Sequence, residues 1–182
     1  MKRLLLFTLL CLPALVNAQS LKNSRAYLGA VLQDGRFGGS LILSYGINPY
    51  LGLGAGVDVL SYRRETREES KFFAPFYADL RVKYPGKGIE PFVYGQFGKP
   101  AYENKKVFYP GVSTTIQENG KYFYGAGGGV AIKRKGTVGG FVSVTYRDYR
   151  FNASPDQVLI NGSKVDMDRS EGIIMFSAGV VF

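Results

Sequence analysis

Asp58, Asp79, Arg81, Lys83 and Arg147 are the residues of this chain best suited by type to do chemistry, because carboxylates beside cations can pass protons, hold ions or gate a path. The rest of the composition narrows that chemistry. Histidine is absent from all 182 residues, which removes the commonest general base and metal ligand and, with them, most hydrolase and zinc chemistry. Cys11 is the only thiol and sits near the N-terminus, so neither a disulfide framework nor thiol chemistry is expected. Asp166 and Asp168 could serve as acid and base or bind calcium, but a solvated loop is the simpler account. No enzymatic activity, cofactor or metal is therefore expected.

The elements that must position these charges show a period of two. Leu51, Leu53, Ala55, Val57 and Val59 alternate with Gly52, Gly54, Gly56 and Asp58. Phe76, Ala78, Leu80, Val82 and Tyr84 alternate with Tyr77, Asp79, Arg81 and Lys83. Tyr122, Tyr124, Ala126, Val130 and Ile132 alternate with Gly125, Gly127, Gly129 and Lys133, and Val138, Val142, Val144 and Tyr146 with Ser143, Thr145 and Arg147. At the C-terminus Ile174, Phe176, Ala178, Val180 and Phe182 share one face, with Met175, Ser177 and Gly179 on the other. Weaker runs near 25–32, 37–47 and 91–102 complete eight expected strands, mostly long enough to cross a bilayer at a tilt. In the fifth, Gln96 and Tyr94 are placed inside, leaving Val93 and Phe97 outward.

Composition agrees with an all-β reading. The 24 glycines, 13 tyrosines and 13 phenylalanines make a helical bundle improbable, and no apolar run outside the N-terminus is long enough for a spanning helix. Residues 1–18 read as a signal peptide: Lys2 and Arg3, then the apolar stretch Leu4 to Val16, then a cleavage site between Ala18 and Gln19. Residues 19–182 are then one exported barrel domain. The formal charge of +9 suggests anionic partners, but with no compact basic cluster in an exported chain nucleic acid is not among them.

Which face looks inward decides the architecture. Glycines such as Gly52, Gly54, Gly125 and Gly127 would weaken a solvated sheet, but they suit the bore of a narrow closed cylinder whose apolar face meets lipid. The expected fold is thus an eight-stranded antiparallel transmembrane β-barrel, a closed up-and-down meander. Its links alternate. Asn48–Pro49, Pro85–Glu90 and Arg134–Gly136 are short; Arg63–Lys71, Pro100–Gly120 and Asn152–Glu171 are long. Gln33 to Arg36 breaks this rhythm, being a four-residue outer loop. Tyr45, Tyr50 and Tyr84 would form one aromatic belt, and Tyr62, Phe72, Phe73, Tyr122, Tyr124 and Tyr146 the other.

On these features the chain resembles the small outer-membrane β-barrel family of OmpA or OmpX type, in particular the Gly-rich, porin-like barrels of Bacteroidetes-like Gram-negative bacteria. The resemblance rests on the terminal Phe182, the alternation before it, the signal peptide and the phrase from Gly46 to Gly56 (GINPYLGLGAG). It implies an outer-membrane location and recognition of Phe176, Ala178, Val180 and Phe182 by the β-barrel assembly machinery.

Within such a barrel the parity points Asp58, Asp79, Arg81, Lys83 and Arg147 into the lumen, with the two acids expected as partners for Arg81 or Arg147. That network would be a polar plug or, less simply, a gate or proton path, since eight strands leave room only for side chains. Arg63, Arg64, Arg67, Lys105 and Lys106 lie at the outer loops, where they can meet anionic lipid such as lipopolysaccharide; an unidentified extracellular ligand is the other candidate for the loops. The expected role is structural or surface interaction. A narrow channel, and a soluble exported barrel binding an apolar ligand, are the alternatives.

Overall fold

The structure, a computed structural model, describes residues 23–62, 71–101, 105–108, 115–132, 138–155, 159–160, 163–164 and 167–182. Strands in chain order are β1 (Ser24–Gln33), β2 (Arg36–Gly46), β3 (Leu51–Tyr62), β4 (Lys71–Lys83), β5 (Ile89–Ala101), β6 (Lys105–Phe108), β7 (Thr115–Ile132), β8 (Gly139–Pro155), β9 (Leu159–Ile160), β10 (Ser163–Lys164) and β11 (Met167–Val181). Eight of them, β1 to β5 with β7, β8 and β11, form an antiparallel meander that closes through β1–β11 and β5–β7 pairing. β6 is an extra strand on the upper end of β7, and β9 with β10 makes a small separate hairpin.

Closure carries a stagger. Tyr27 leads by lateral pairing through Ile42, Gly56, Tyr77, Gly98, Phe123 and Tyr149 to Glu171 on β11. Tyr27 itself pairs with Val181 on that strand, so one circuit climbs from position 181 to 171, ten residues. A shear of that size on eight strands tilts them about 40° and leaves an interior only wide enough for side chains.

The first hairpin is tighter than a four-residue loop. Gln33 pairs with Arg36, and only Asp34 (φ 47°) and Gly35 (φ 69°) turn the chain. Both central residues in the left-handed region make this the primed Asp-Gly turn that matches strand twist. At the opposite end Asn48 Oδ1 accepts from the backbone N–H of Tyr50 at 2.8 Å and of Leu51 at 2.7 Å. Phe182 is tied to β1 by its backbone N–H, which donates to the Ala26 carbonyl at 2.9 Å.

The links expected at Pro100–Gly120 and Asn152–Glu171 are largely strand instead. Lys105–Phe108 pairs with Thr115–Glu118, Ile116 faces Pro155, and Met167 faces Ala153. Asp168 accordingly sits on β11 opposite Asn152 rather than in a loop, while Asp166 lies outside the described residues. Above the apolar band neither face needs to be apolar, so the period-two signal fades although the backbone pairing continues.

Side chains sort by parity. Leu53, Leu80, Val93, Phe97, Val142, Val144, Tyr146, Ile174 and Phe176 point outward and are about half exposed. A continuous apolar band of this extent belongs in hydrocarbon, not water. Tyr45, Tyr50 and Tyr84 rim it at the short turns; Tyr122, Tyr124 and Tyr146 rim it above. Phe73 does not belong to that rim. Its parity turns it inward, where its ring packs edge-on against Tyr149 with centroids 5.4 Å apart. Of Tyr62 and Phe72 only the backbone is described.

The bore is also more apolar than the glycine-rich inner face suggests. Tyr27, Tyr77, Phe92, Tyr94, Phe123, Phe141, Tyr149 and Phe151 are buried in one interior cluster. Two of the inner glycines make room for such rings on neighbouring strands rather than for the opposite wall: a Cβ on Gly56 would stand 2.5 Å from the Tyr77 ring, and one on Gly127 2.7 Å from the Tyr94 ring.

Candidate functional site

The sequence-predicted lumen residues all face the bore. Asp58 on β3 and Asp79 on β4 are fully buried, Arg81 and Arg147 are each 2% exposed, and Lys83 is 8% exposed. Arg147 reaches across from β8 so that Nη1 donates to Asp58 Oδ2 at 2.6 Å. Its Nε and Nη2 donate to Gln96 Oε1 at 3.0 and 2.8 Å. Gln96 Nε2 in turn donates to Asp79 Oδ2 at 3.1 Å, and Arg81 Nε donates to Asp79 Oδ1 at 3.2 Å. Four strands are thereby joined through one polar chain, Asp58–Arg147–Gln96–Asp79–Arg81. Tyr77 Oη adds a donor to Asp58 at 2.9 Å.

Aromatic rings complete the solvation of both guanidinium groups. The Arg81 guanidinium lies 4.1 Å from the Tyr27 ring centroid, 4.6 Å from that of Phe92 and 5.0 Å from that of Tyr94. Arg147 lies 4.5 Å from the Tyr77 centroid and 4.9 Å from that of Phe123. Ring faces replace water around a desolvated cation, and the carboxylates neutralise it, so the charges are tolerable where bare burial would be prohibitive.

A third buried charge pair was not anticipated from the sequence. Glu90 on β5 is buried at the turn end of the bore, and Arg25 of β1 donates to its carboxylate. The signal is present in the run Glu90, Phe92, Tyr94, Gln96, all of one parity, but Glu90 also ends the turn-type run Pro85–Glu90 and so reads as part of that turn. Among the described residues no cluster of His, Cys, Asp and Glu could hold a metal ion.

The other candidate residues lie elsewhere. Phe176, Ala178 and Val180 stand on the outer face of β11, below its pairing with β8 at Ile174–Tyr146. Lys105 and Lys106 have their backbone on β6, remote from the bore. Arg63, Arg64 and Arg67, and the cleavage pair Ala18 and Gln19, lie outside the described residues.

No protein-family model matches the chain, and no curated protein is similar to it in sequence. Solved structures are similar in fold. The solid-state NMR structure of outer membrane protein AlkL in DMPC bilayers superposes with a TM-score of 0.59 at 11% identity, over 88% of this chain and 89% of that one. Neisserial surface protein A gives 0.56 at 12% identity, over 87% and 93%. The N-terminal β-barrel domain of Pseudomonas aeruginosa OprF gives 0.52 at 12% identity, over 88% and 97%. Closed, staggered and apolar on its outside, this chain has the fold of the small outer-membrane β-barrels.

Proposed function

We propose that the protein is an outer-membrane β-barrel with a structural or surface-interaction role and a plugged lumen, rather than a conduit. One observation carries this reading: the chain Asp58–Arg147–Gln96–Asp79–Arg81 spans the bore, and rings occupy the space around it. A solute would have to break two buried ion pairs to pass, each costing several kcal/mol. The export signal of residues 1–18 and the outward apolar band support the location.

In this reading the last strand, with Phe176, Ala178, Val180 and Phe182 on its lipid side, is what the β-barrel assembly machinery engages. Arg63, Arg64, Arg67, Lys105 and Lys106 meet the phosphates of lipopolysaccharide at the outer loops. The affiliation to OmpA- or OmpX-type barrels of Bacteroidetes-like bacteria belongs to the same proposal, as does the absence of enzymatic activity, which rests on a chain without histidine. An unknown extracellular ligand would be met by the loops, not by the bore.

Planar-bilayer recording tests the plug. The reconstituted protein is expected to give no stable single-channel steps, whereas regular ohmic steps would favour the channel alternative. Recovery of the protein from the periplasm without detergent would instead favour the soluble one.

A further inference from the structure

The outward surface of β7, β8 and β11 changes character at one level. Laterally paired rows below it are apolar: Val130–Val142–Ala178, Gly128–Val144–Phe176 and Ala126–Tyr146–Ile174. The next rows are Tyr124–Asp148–Gly172 and Tyr122–Arg150–Ser170. Tyr124 Oη donates to Asp148 Oδ2 at 2.6 Å, and Arg150 Nη2 donates to the same oxygen at 3.0 Å. A bulge at Lys121 turns its ammonium to Asp168, with Nζ 3.3 Å from both carboxylate oxygens.

Asp148 is only 8% exposed although its parity is outward. Its Oδ1, Arg150 Nε and Asn152 Oδ1 are buried without a hydrogen-bond partner among the described residues. These three atoms come from alternate residues of one strand, so two acceptors and one donor form a column about 7 Å apart per step. Unsatisfied buried polar atoms are costly and call for an explanation. Beside the column, on β5 and β7, the exposed rings of Phe97 and Tyr122 lie 6.0 Å apart and 31° from parallel, offering a continuous apolar platform.

We propose that this cluster binds the sugar headgroup of an outer-leaflet glycolipid. Sugar hydroxyls donate to Asp148 Oδ1 and Asn152 Oδ1 and accept from Arg150 Nε, a combination only a group that both donates and accepts can satisfy. The face of the sugar ring rests on Tyr122 and Phe97. Arg150, 41% exposed in its side chain, turns its Nη groups aside to admit the sugar while its Nε stays at the column. A phosphate fits poorly, because Asp148 and Asp168 already match Arg150 and Lys121 and would repel a second anion. The lipid tether follows from position: the column stands directly on the apolar rows, along which acyl chains run. The inference rests on the membrane placement proposed above, but it uses other residues and a neutral chemistry.

The test uses the full chain in nanodiscs of phosphatidylethanolamine and phosphatidylglycerol doped with a phosphate-free glucosamine glycolipid, with native mass spectrometry counting retained glycolipid. Asp148→Leu combined with Arg150→Leu extends the apolar surface, and Asn152→Leu serves as a second variant should the first not fold. Retention is expected to fall about tenfold in either, the loss that one or two hydrogen bonds would cause. Equal retention by wild type and both variants would overturn the site. So would retention that needs phosphate on the glycolipid, or binding of the released oligosaccharide as tight as that of the intact lipid. Vesicle flotation separates the two levels: a chain that does not float with lipid sinks the membrane placement as well, whereas lost selectivity in a floating chain sinks the sugar site alone.

Discussion

Arg147 and Arg150 are three residues apart on the same strand and live in opposite worlds. Arg147 points into the bore, 2% exposed, and finds its carboxylate on β3, 89 positions away in the chain. Arg150 points outward and finds its carboxylate two residues away on its own strand. The aromatics divide in the same way: Phe123 is wholly buried among interior rings, while Phe97 on the neighbouring strand is 62% exposed to the surroundings. Polarity does not decide which side a residue takes here, because strand parity does. The bore therefore gets both charge and rings and has to pair its charges internally, whereas the wall needs only apolar surface and is solvated by hydrocarbon.

That contrast is broken hardest from the inside. Arg147→Ala leaves Asp58 buried without its counter-charge and should destabilise the barrel by about 3–5 kcal/mol, read as a lower urea midpoint in lipid vesicles. Adding Asp58→Ala should restore part of the loss; a double variant no more stable than additivity predicts would deny coupling across the bore. On the wall, Val144→Arg introduces a charge into the apolar rows of β8 and should cost about 2–4 kcal/mol in the same assay. An unchanged midpoint there would mean that this face does not meet hydrocarbon. The contrast sharpens at the rim, where Lys121→Ala removes an ion pair with about half of Lys121 and most of Asp168 exposed. Its effect should stay under about 1 kcal/mol and fade with added salt; a loss comparable to that of Arg147→Ala would erase the distinction between bore and rim.

Much of the barrel is written locally. Asp58, Asp79, Arg81, Lys83 and Arg147 take the inward parity because each alternates with aliphatic or aromatic neighbours, a pattern visible within five or six residues. The interior rings were harder to see. Phe123 and Phe141 sit in runs with apolar residues on both faces, so a count of hydrophobic positions assigns them no side. The upper strand extensions are hidden for another reason, since mixed runs such as Lys105–Phe108 and 115–119 carry no alternation while the backbone ladder still pairs Lys105 with Glu118 and Met167 with Ala153. Glu90 shows a boundary effect: the strand that contains it starts earlier than its turn residues suggest, and the pair with Arg25 was hidden with it.

Amino-acid order alone determined the number of barrel strands and the face that Asp58, Asp79, Arg81, Lys83 and Arg147 take, since alternation acts between neighbours in the chain. Tertiary structure alone decided that Arg147 meets Asp58 and Gln96, while Arg81 keeps Asp79. Which side chains share a level inside the cylinder depends on the ten-residue stagger from 181 to 171 accumulated over all eight strands. Such a stagger is a property of closing the sheet, and no single segment carries it.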